Sequence, residues 1–144
     1  MMHINLVCVG SLKEAYLRDA DAEYSKRLSR FCRLSVRQIE ESRPDREKAA
    51  ILRACRGVRI ALCVEGEHMS SEELAARIRA YEQRTSCITF IIGGSEGLHE
   101  EVKAAADLKL SFSDMTFPHQ LTRLILAEQL YRAMKINNGE QYHK

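Results

Sequence analysis

The sequence predicts an α/β fold, a mostly parallel sheet with helices on both faces. Two observations carry that expectation. Apolar runs of strand length alternate with helix-forming, amphipathic segments throughout the chain, the pattern of βαβ units. One run, Cys87-Ile88-Thr89-Phe90-Ile91-Ile92, is almost continuously apolar, as expected of a central strand covered on both faces.

The elements follow in order. Ile4 to Val9 reads as a first strand ending at Gly10. Glu14 to Arg30 is rich in helix formers, with Ala15, Leu17, Ala22, Tyr24 and Leu28 supplying part of an apolar stripe. Leu34, Val36 and Ile39 suggest a second strand of mixed polarity near an edge. Pro44, which can open a helix but not continue one, starts a segment reaching Cys55. Arg59 to Val64 is a third strand, stopped by Gly66. Ser70 and Glu73 form a Ser-x-x-Glu capping box that opens a helix to about Gln83. After the central strand come a short helix from Leu98 to Ala106 and a short strand from Leu108 to Phe112. A last helix runs from near Pro118 to about Ile136, with Thr116 and Pro118 helping to start it.

At 144 residues, with 45% hydrophobic and 29% charged, the chain matches one self-sufficient globular domain spanning residues 1–144. No linker, internal repeat or low-complexity segment interrupts it. No stretch approaches the roughly 20 apolar residues of a membrane span, so no membrane partner is expected. The N-terminal residues Met1 to Asn5 show no basic region and no small-residue cleavage site of a secretory signal, which points to a soluble, cytoplasmic protein. The five cysteines, at positions 8, 32, 55, 63 and 87, form no Cys-x-x-Cys motif and read as small hydrophobes in a reducing compartment. The five histidines also lack ligand spacing, and no metal is expected.

The net charge of +2 is too small to announce a polyanion binder, but it is unevenly distributed. From Lys13 to Arg59 there are 13 Lys and Arg against 8 Asp and Glu, including Lys26, Arg27, Arg30, Arg33 and Arg37. This is as compatible with a solvated helix face as with a polyanion surface.

The last helix is apolar around its circumference. Leu121, Leu124 and Ile125 occupy one side, and Leu126, Leu130, Ala133 and Met134 the other. In so small a domain such a helix needs cover from outside, which predicts a homodimer with Leu126 or Leu130 facing the partner. Glu128 and Arg132, four residues apart, are expected to pair.

Ligands of parallel sheets bind beyond the carboxyl ends of strands. The segments there are 65–69, the Gly93-Gly94-Ser95-Glu96-Gly97 loop and residues 111–118. The glycine loop matches neither the P-loop nor the dinucleotide-binding pattern, and Glu96 would repel a phosphate. A neutral or cationic ligand suits it better.

Together, four segments resemble the RlmH family of the SPOUT superfamily. They are Ile91 to Leu98, Leu110 to Gln120, the Glu128-Gln129-x-Tyr131-Arg132-Ala133 stretch, and the terminal Tyr142-His143-Lys144. The resemblance covers essentially the whole chain and is most specific in the C-terminal blocks; residues 41–57 are shorter than the family pattern. It implies a methyltransferase that uses S-adenosyl-L-methionine to methylate N3 of a pseudouridine in large-subunit (23S) ribosomal RNA. It further implies a C-terminal trefoil knot, which periodicity would never suggest, and an obligate homodimer.

By the same resemblance, the adenosylmethionine contacts are Leu62, Gly93, Phe112, Ser113, Asp114, Met115, Thr116 and Phe117. The reaction is a displacement at the sulfonium methyl group by a weakly acidic imide nitrogen, with the sulfide leaving, and the nitrogen must be held in line and deprotonated. His143 is the first candidate base or positioning group. His119 is a second, with a helix-capping role equally open. Arg123 would position phosphate or nucleotide unless it is an interior ion-pair member, and Tyr142 would stack on the base. The substrate is ribosomal RNA in the large subunit or the whole ribosome. A cofactor-binding RNA module without turnover is the alternative, and a flavodoxin-like nucleotide sensor is disfavoured by the missing phosphate cradle.

Overall fold

The structure is a computed structural model that describes residues 1–142. Five strands form one sheet: β1 His3–Val9, β2 Arg33–Ile39, β3 Val58–His68, β4 Cys87–Ile92 and β5 Leu108–Ser111. Their order is β2-β1-β4-β3-β5 and every pairing is parallel. The helices are α1 Ala15–Leu28, α2 Pro44–Ala54, α3 Ser71–Glu82, α4 Glu100–Ala104 and α5 His119–Asn137. The expected α/β sheet is therefore present, with β4 at its centre and the mixed-polarity β2 at an edge.

Period-two alternation splits the strand side chains between two cores. Ile4, Leu6, Ile60, Ile88 and Phe90 point to one face, where Leu28 of α1, Leu74 and Ile78 of α3, and Leu126 and Leu130 of α5 cover them. Val7, Val9, Ala61 and Ile91 point to the other face and meet Ile51 of α2 and Val102 of α4. Asn5 is buried in the sheet and fully engaged. Its amide donates to Ala54 O at 2.9 Å and to Thr89 Oγ1 at 3.2 Å, while its carbonyl accepts from Ser35 Oγ at 3.1 Å.

The capping box forms as expected, with Glu73 N donating to Ser70 Oγ and Ser70 N donating to Glu73 Oε1. Three boundaries differ from the sequence reading. Gly66 does not stop β3; the strand continues to His68 through a bulge in which both Leu62 and Glu67 pair with Leu110. A Cβ at Gly66 would lie 2.7 Å from backbone carbons of Lys109 and Leu110, so glycine is what permits that approach. The short helix starts only at Glu100, because the His99 side chain caps it by accepting from Glu101 N at 3.0 Å. Pro118 is the N-cap of α5 and no side chain caps that end, so Thr116 does not start the helix.

On α5 the sequence expectation about facing needs correction. Leu126 and Leu130 are both 0% exposed within their own chain, packed on the sheet between α1 and α3. The outward side is the other one: Leu121 is 37% exposed and Leu124 and Ile125 are half-buried. Glu128 and Arg132 do pair, at 3.2 Å. Cys8 and Cys32 are buried, and all five cysteines are free thiols.

Candidate active site

Because all strands run the same way, the carboxyl ends of β3, β4 and β5 lie side by side. Beyond them opens a cavity of about 590 Å³, within the range of small-molecule sites. Most of its walls come from four segments. Leu62 and the β3 bulge supply one, Ile92 and the glycine loop a second, residues 111–118 a third, and His119 and Thr122 of α5 the fourth.

The glycine loop is a tight turn in which Gly97 N donates to Gly94 O at 3.0 Å and Gly97 takes φ +78°. That backbone conformation favours glycine. Gly93 is constrained differently: a Cβ there would stand 2.8 Å from Gly97 C and 2.9 Å from Gly97 O. The turn is fastened from outside by Glu41, whose Oε2 accepts from Ser95 N at 3.0 Å and Ser95 Oγ at 2.9 Å. The Ser95 backbone N–H, then its hydroxyl, hold the Glu41 carboxyl below its ordinary value.

The 112–117 segment supports itself. Ser111 Oγ donates to Ser113 O at 3.0 Å, and Ser113 Oγ accepts from Met115 N at 3.0 Å. Phe112, Ser113, Met115, Thr116 and Phe117 line the cavity, as do Leu62 and Gly93. Asp114 does not. Its side chain is 93% exposed and turns to His68 Nε2, 3.2 Å away.

The oppositely charged side chains of the lining are a pair that the sequence reading missed. Lys103 Nζ donates to Glu65 and lies 3.2 Å from Glu100 Oε1. The hydrogen bond with Lys103 lowers the Glu65 carboxyl and raises the Lys103 ammonium. The lysine charge is thus already matched. Among the described residues the walls offer apolar surface, glycine-loop backbone, several serine and threonine hydroxyls, the His119 imidazole and the paired Lys103 and Glu65, with no cluster of groups able to hold a metal. Such a donor set fits an adenine ring and a sulfonium cation, and does not fit a pyrophosphate.

Of the four predicted catalytic residues, the three that are described are not brought together. His119 lies on the cavity wall as the first residue of α5. Arg123 is 8% exposed and does not line the cavity; its Nη2 is 3.2 Å from Asp21 Oδ2 and its Nη1 donates to Gln38 Oε1. Tyr142 lies against the middle of α5, edge-on to Tyr131 at 5.0 Å between ring centres. His143 lies outside the described residues. Neither Glu41 nor Lys103 carried a local motif, since Glu41 meets Ser95 and Lys103 meets Glu65 only through the fold, the local Glu100 contact of Lys103 being an ordinary helix pair.

A family described as "Predicted SPOUT methyltransferase" matches residues 2–143. The chain belongs to that family. This SPOUT methyltransferase is 46% identical to "Ribosomal RNA large subunit methyltransferase H" of Acetivibrio thermocellus over 159 aligned positions, covering 99% of the chain and all of the relative. With the same coverage it is 48% identical to the protein so named in Bifidobacterium adolescentis and 45% identical to that of Clostridioides difficile. The resemblance read from the residues is therefore borne out. The alignment is longer than the 144-residue chain, so these relatives carry residues that the SPOUT chain lacks. A solved structure titled as a probable methylase family protein from Haemophilus influenzae superposes with a TM-score of 0.64 at 13% identity, covering 98% of this chain and 70% of that one. At such identity the likeness speaks for the fold alone.

Proposed function

We propose that this methyltransferase uses S-adenosyl-L-methionine to methylate N3 of a pseudouridine in large-subunit ribosomal RNA, within the large subunit or the assembled ribosome. One observation carries the reading. Seven of the eight residues expected to contact adenosylmethionine wall a single cavity at the strand ends, in a chain related over its full length to proteins named ribosomal RNA large subunit methyltransferase H. The proposed unit is one domain over residues 1–144, acting in the cytoplasm as a homodimer and carrying a C-terminal trefoil knot. The outward Leu121, Leu124 and Ile125 support the dimer, since they leave apolar surface without cover.

When bound, adenosylmethionine supplies an electrophilic methyl group. The chain's task is to hold the imide nitrogen in line with it and take up the nitrogen's proton. Leu62, Phe112 and Phe117 would hold an adenine ring by their apolar surface, and glycine-loop backbone at Gly93 would offer it hydrogen bonds. His143 is the proposed base or positioning group and His119 the second. Tyr142 offers a ring on which the base stacks. Arg123 positions phosphate or nucleotide, from a guanidinium that pairs with Asp21. A target nucleotide in folded RNA must be exposed or flipped to reach such a site.

The test is to incubate the protein with methyl-labelled adenosylmethionine and unmodified ribosomal particles at successive assembly stages. The expected result is label at one pseudouridine N3 of large-subunit RNA. Tight cofactor binding with no transfer to any particle would instead assign the chain to a binding module.

A further inference from the structure

Four segments distant in sequence meet at one rim of the cavity, and Glu41 stands among them. It lies in the loop between β2 and α2. Its Oε2 receives both hydrogen-bond donors of Ser95, in the turn that follows β4. Its Oε1 and the Nε2 of His119 both flank Gly10, at 3.6 and 3.3 Å from where a Cβ of that residue would stand. The His119 imidazole and the Lys13 side chain act on it electrostatically, and the Lys13 N–H is tied in turn to Gln120 Oε1 of α5 at 2.8 Å.

The space for this carboxylate is made by glycines. At Gly94 a Cβ would stand 2.7 Å from Glu41 Oε2 and 3.0 Å from Val9 Cγ1. Any side chain there would push the carboxylate off Ser95. The contact with Ser95 is bidentate on the donor side, one backbone and one hydroxyl donor converging on a single charged oxygen, and hydrogen bonds to an ionised acceptor are the stronger kind. Ser95 is a central residue of the turn that the Gly97–Gly94 bond closes, and its own N–H and hydroxyl both go outward to the acceptor that Glu41 provides.

We propose that Glu41 is a positioning residue of the cofactor cavity: by clamping Ser95 it holds the glycine turn as a preformed wall for adenosylmethionine. This rests on reading the cavity as an adenosylmethionine site. A preformed wall lowers the ordering cost of binding, so its loss shows in affinity rather than in chemistry. The clamp needs an acceptor at that point, which a glutamine still supplies and an alanine does not.

The experiment compares Glu41→Ala, Glu41→Gln, Ser95→Ala and the double variant Glu41→Ala/Ser95→Ala in the full chain. Calorimetric titration with adenosylmethionine is expected to show about tenfold weaker binding for Glu41→Ala, most of it recovered in Glu41→Gln, with an unchanged thermal midpoint. The double variant should be no weaker than Glu41→Ala alone, since both changes remove one interaction. In methyl transfer the loss should appear in KM for adenosylmethionine, with kcat restored at saturation. Amide exchange at Ser95 in the ligand-free protein should accelerate in Glu41→Ala and return in Glu41→Gln. Unaltered affinity in Glu41→Ala, a glutamine variant no better than alanine, or a deficit confined to kcat would each overturn the proposal. If the unaltered protein itself binds no adenosylmethionine, the functional reading fails. Amide exchange at Ser95 then still decides whether Glu41 clamps the turn, and unchanged exchange in Glu41→Ala would refute it.

Discussion

The hydroxyl of Tyr142 donates to Glu128 Oε2 across 2.8 Å, fastening the chain after α5 back onto the helix it has just left. The Arg132 guanidinium lies 4.8 Å from the centre of the same ring and pairs with the same carboxylate. Burial, and then the hydrogen bond to Glu128, push the phenol from 10 up to about 12. The neutral phenol is the favoured form in the fold, so its stabilising contribution is complete below the ordinary phenol value and is lost as pH rises through about 12. In an alkaline absorbance titration of the five tyrosines, one should ionise last, and Glu128→Gln should bring it down towards the rest. A Tyr142→Phe protein that keeps the late step would assign it elsewhere.

Removing residues 142–144 separates binding from transfer. The shortened protein should fold and bind adenosylmethionine, because the cavity lining ends at Thr122. Methyl transfer to ribosomes should fall by orders of magnitude, each tenfold being about 1.4 kcal/mol of transition-state stabilisation. In His143→Ala, a general-base role predicts partial recovery at higher pH, where more of the imide is ionised, while a positional role predicts a deficit that pH leaves unchanged. Full activity of the shortened protein would remove both residues from the reaction.

Charge on α5 should have opposite consequences on its two sides. Leu126→Glu places a carboxylate where there is no exposure at all and should cost several kcal/mol, enough to unfold the chain. Leu121→Glu, on the outward side, should leave the chain folded and shift sedimentation from dimer to monomer, with methyl transfer lost. A Leu121→Glu protein that still sediments as a dimer would move the interface elsewhere.

Gly93→Val drives a side chain into the Gly97 backbone, 2.8 Å from where its Cβ would begin. The turn must shift, so adenosylmethionine binding should fall below calorimetric detection. Far-ultraviolet circular dichroism should stay unchanged, since the residue lies beyond the end of β4.

What could be read from the residues was what the chain settles locally. The apolar run at Cys87–Ile92 identified the sheet's centre, and Ser70 with Glu73 marked a helix start, because each pattern is complete within a few neighbours. Gly66 misled, since a glycine that stops a strand and one that lets two backbones approach look alike in one dimension. The helical wheel separated Leu121 from Leu126 correctly, yet it could not say which side met the sheet. For the cavity, seven of its lining residues followed from the family resemblance rather than from periodicity. Glu41 stayed hidden because its partner lies 54 residues further on, and Arg123 met Asp21 across 102.

The strand order has a kinetic consequence. β4 inserts between β1 and β3, so β1 waits some eighty residues for that neighbour, while β5 closes the far edge only after it. Long-range parallel pairing of this kind makes for slow folding, because loop closure precedes the contacts that reward it. During synthesis the sheet can be complete before α5 exists, leaving Ile4, Leu6 and Phe90 without the Leu126 and Leu130 that later cover them. For that interval the nascent chain presents a flat, sticky surface to its surroundings. Chaperone demand should therefore peak late in translation, and changes in α5 should reduce yield through aggregation before they affect the mature protein.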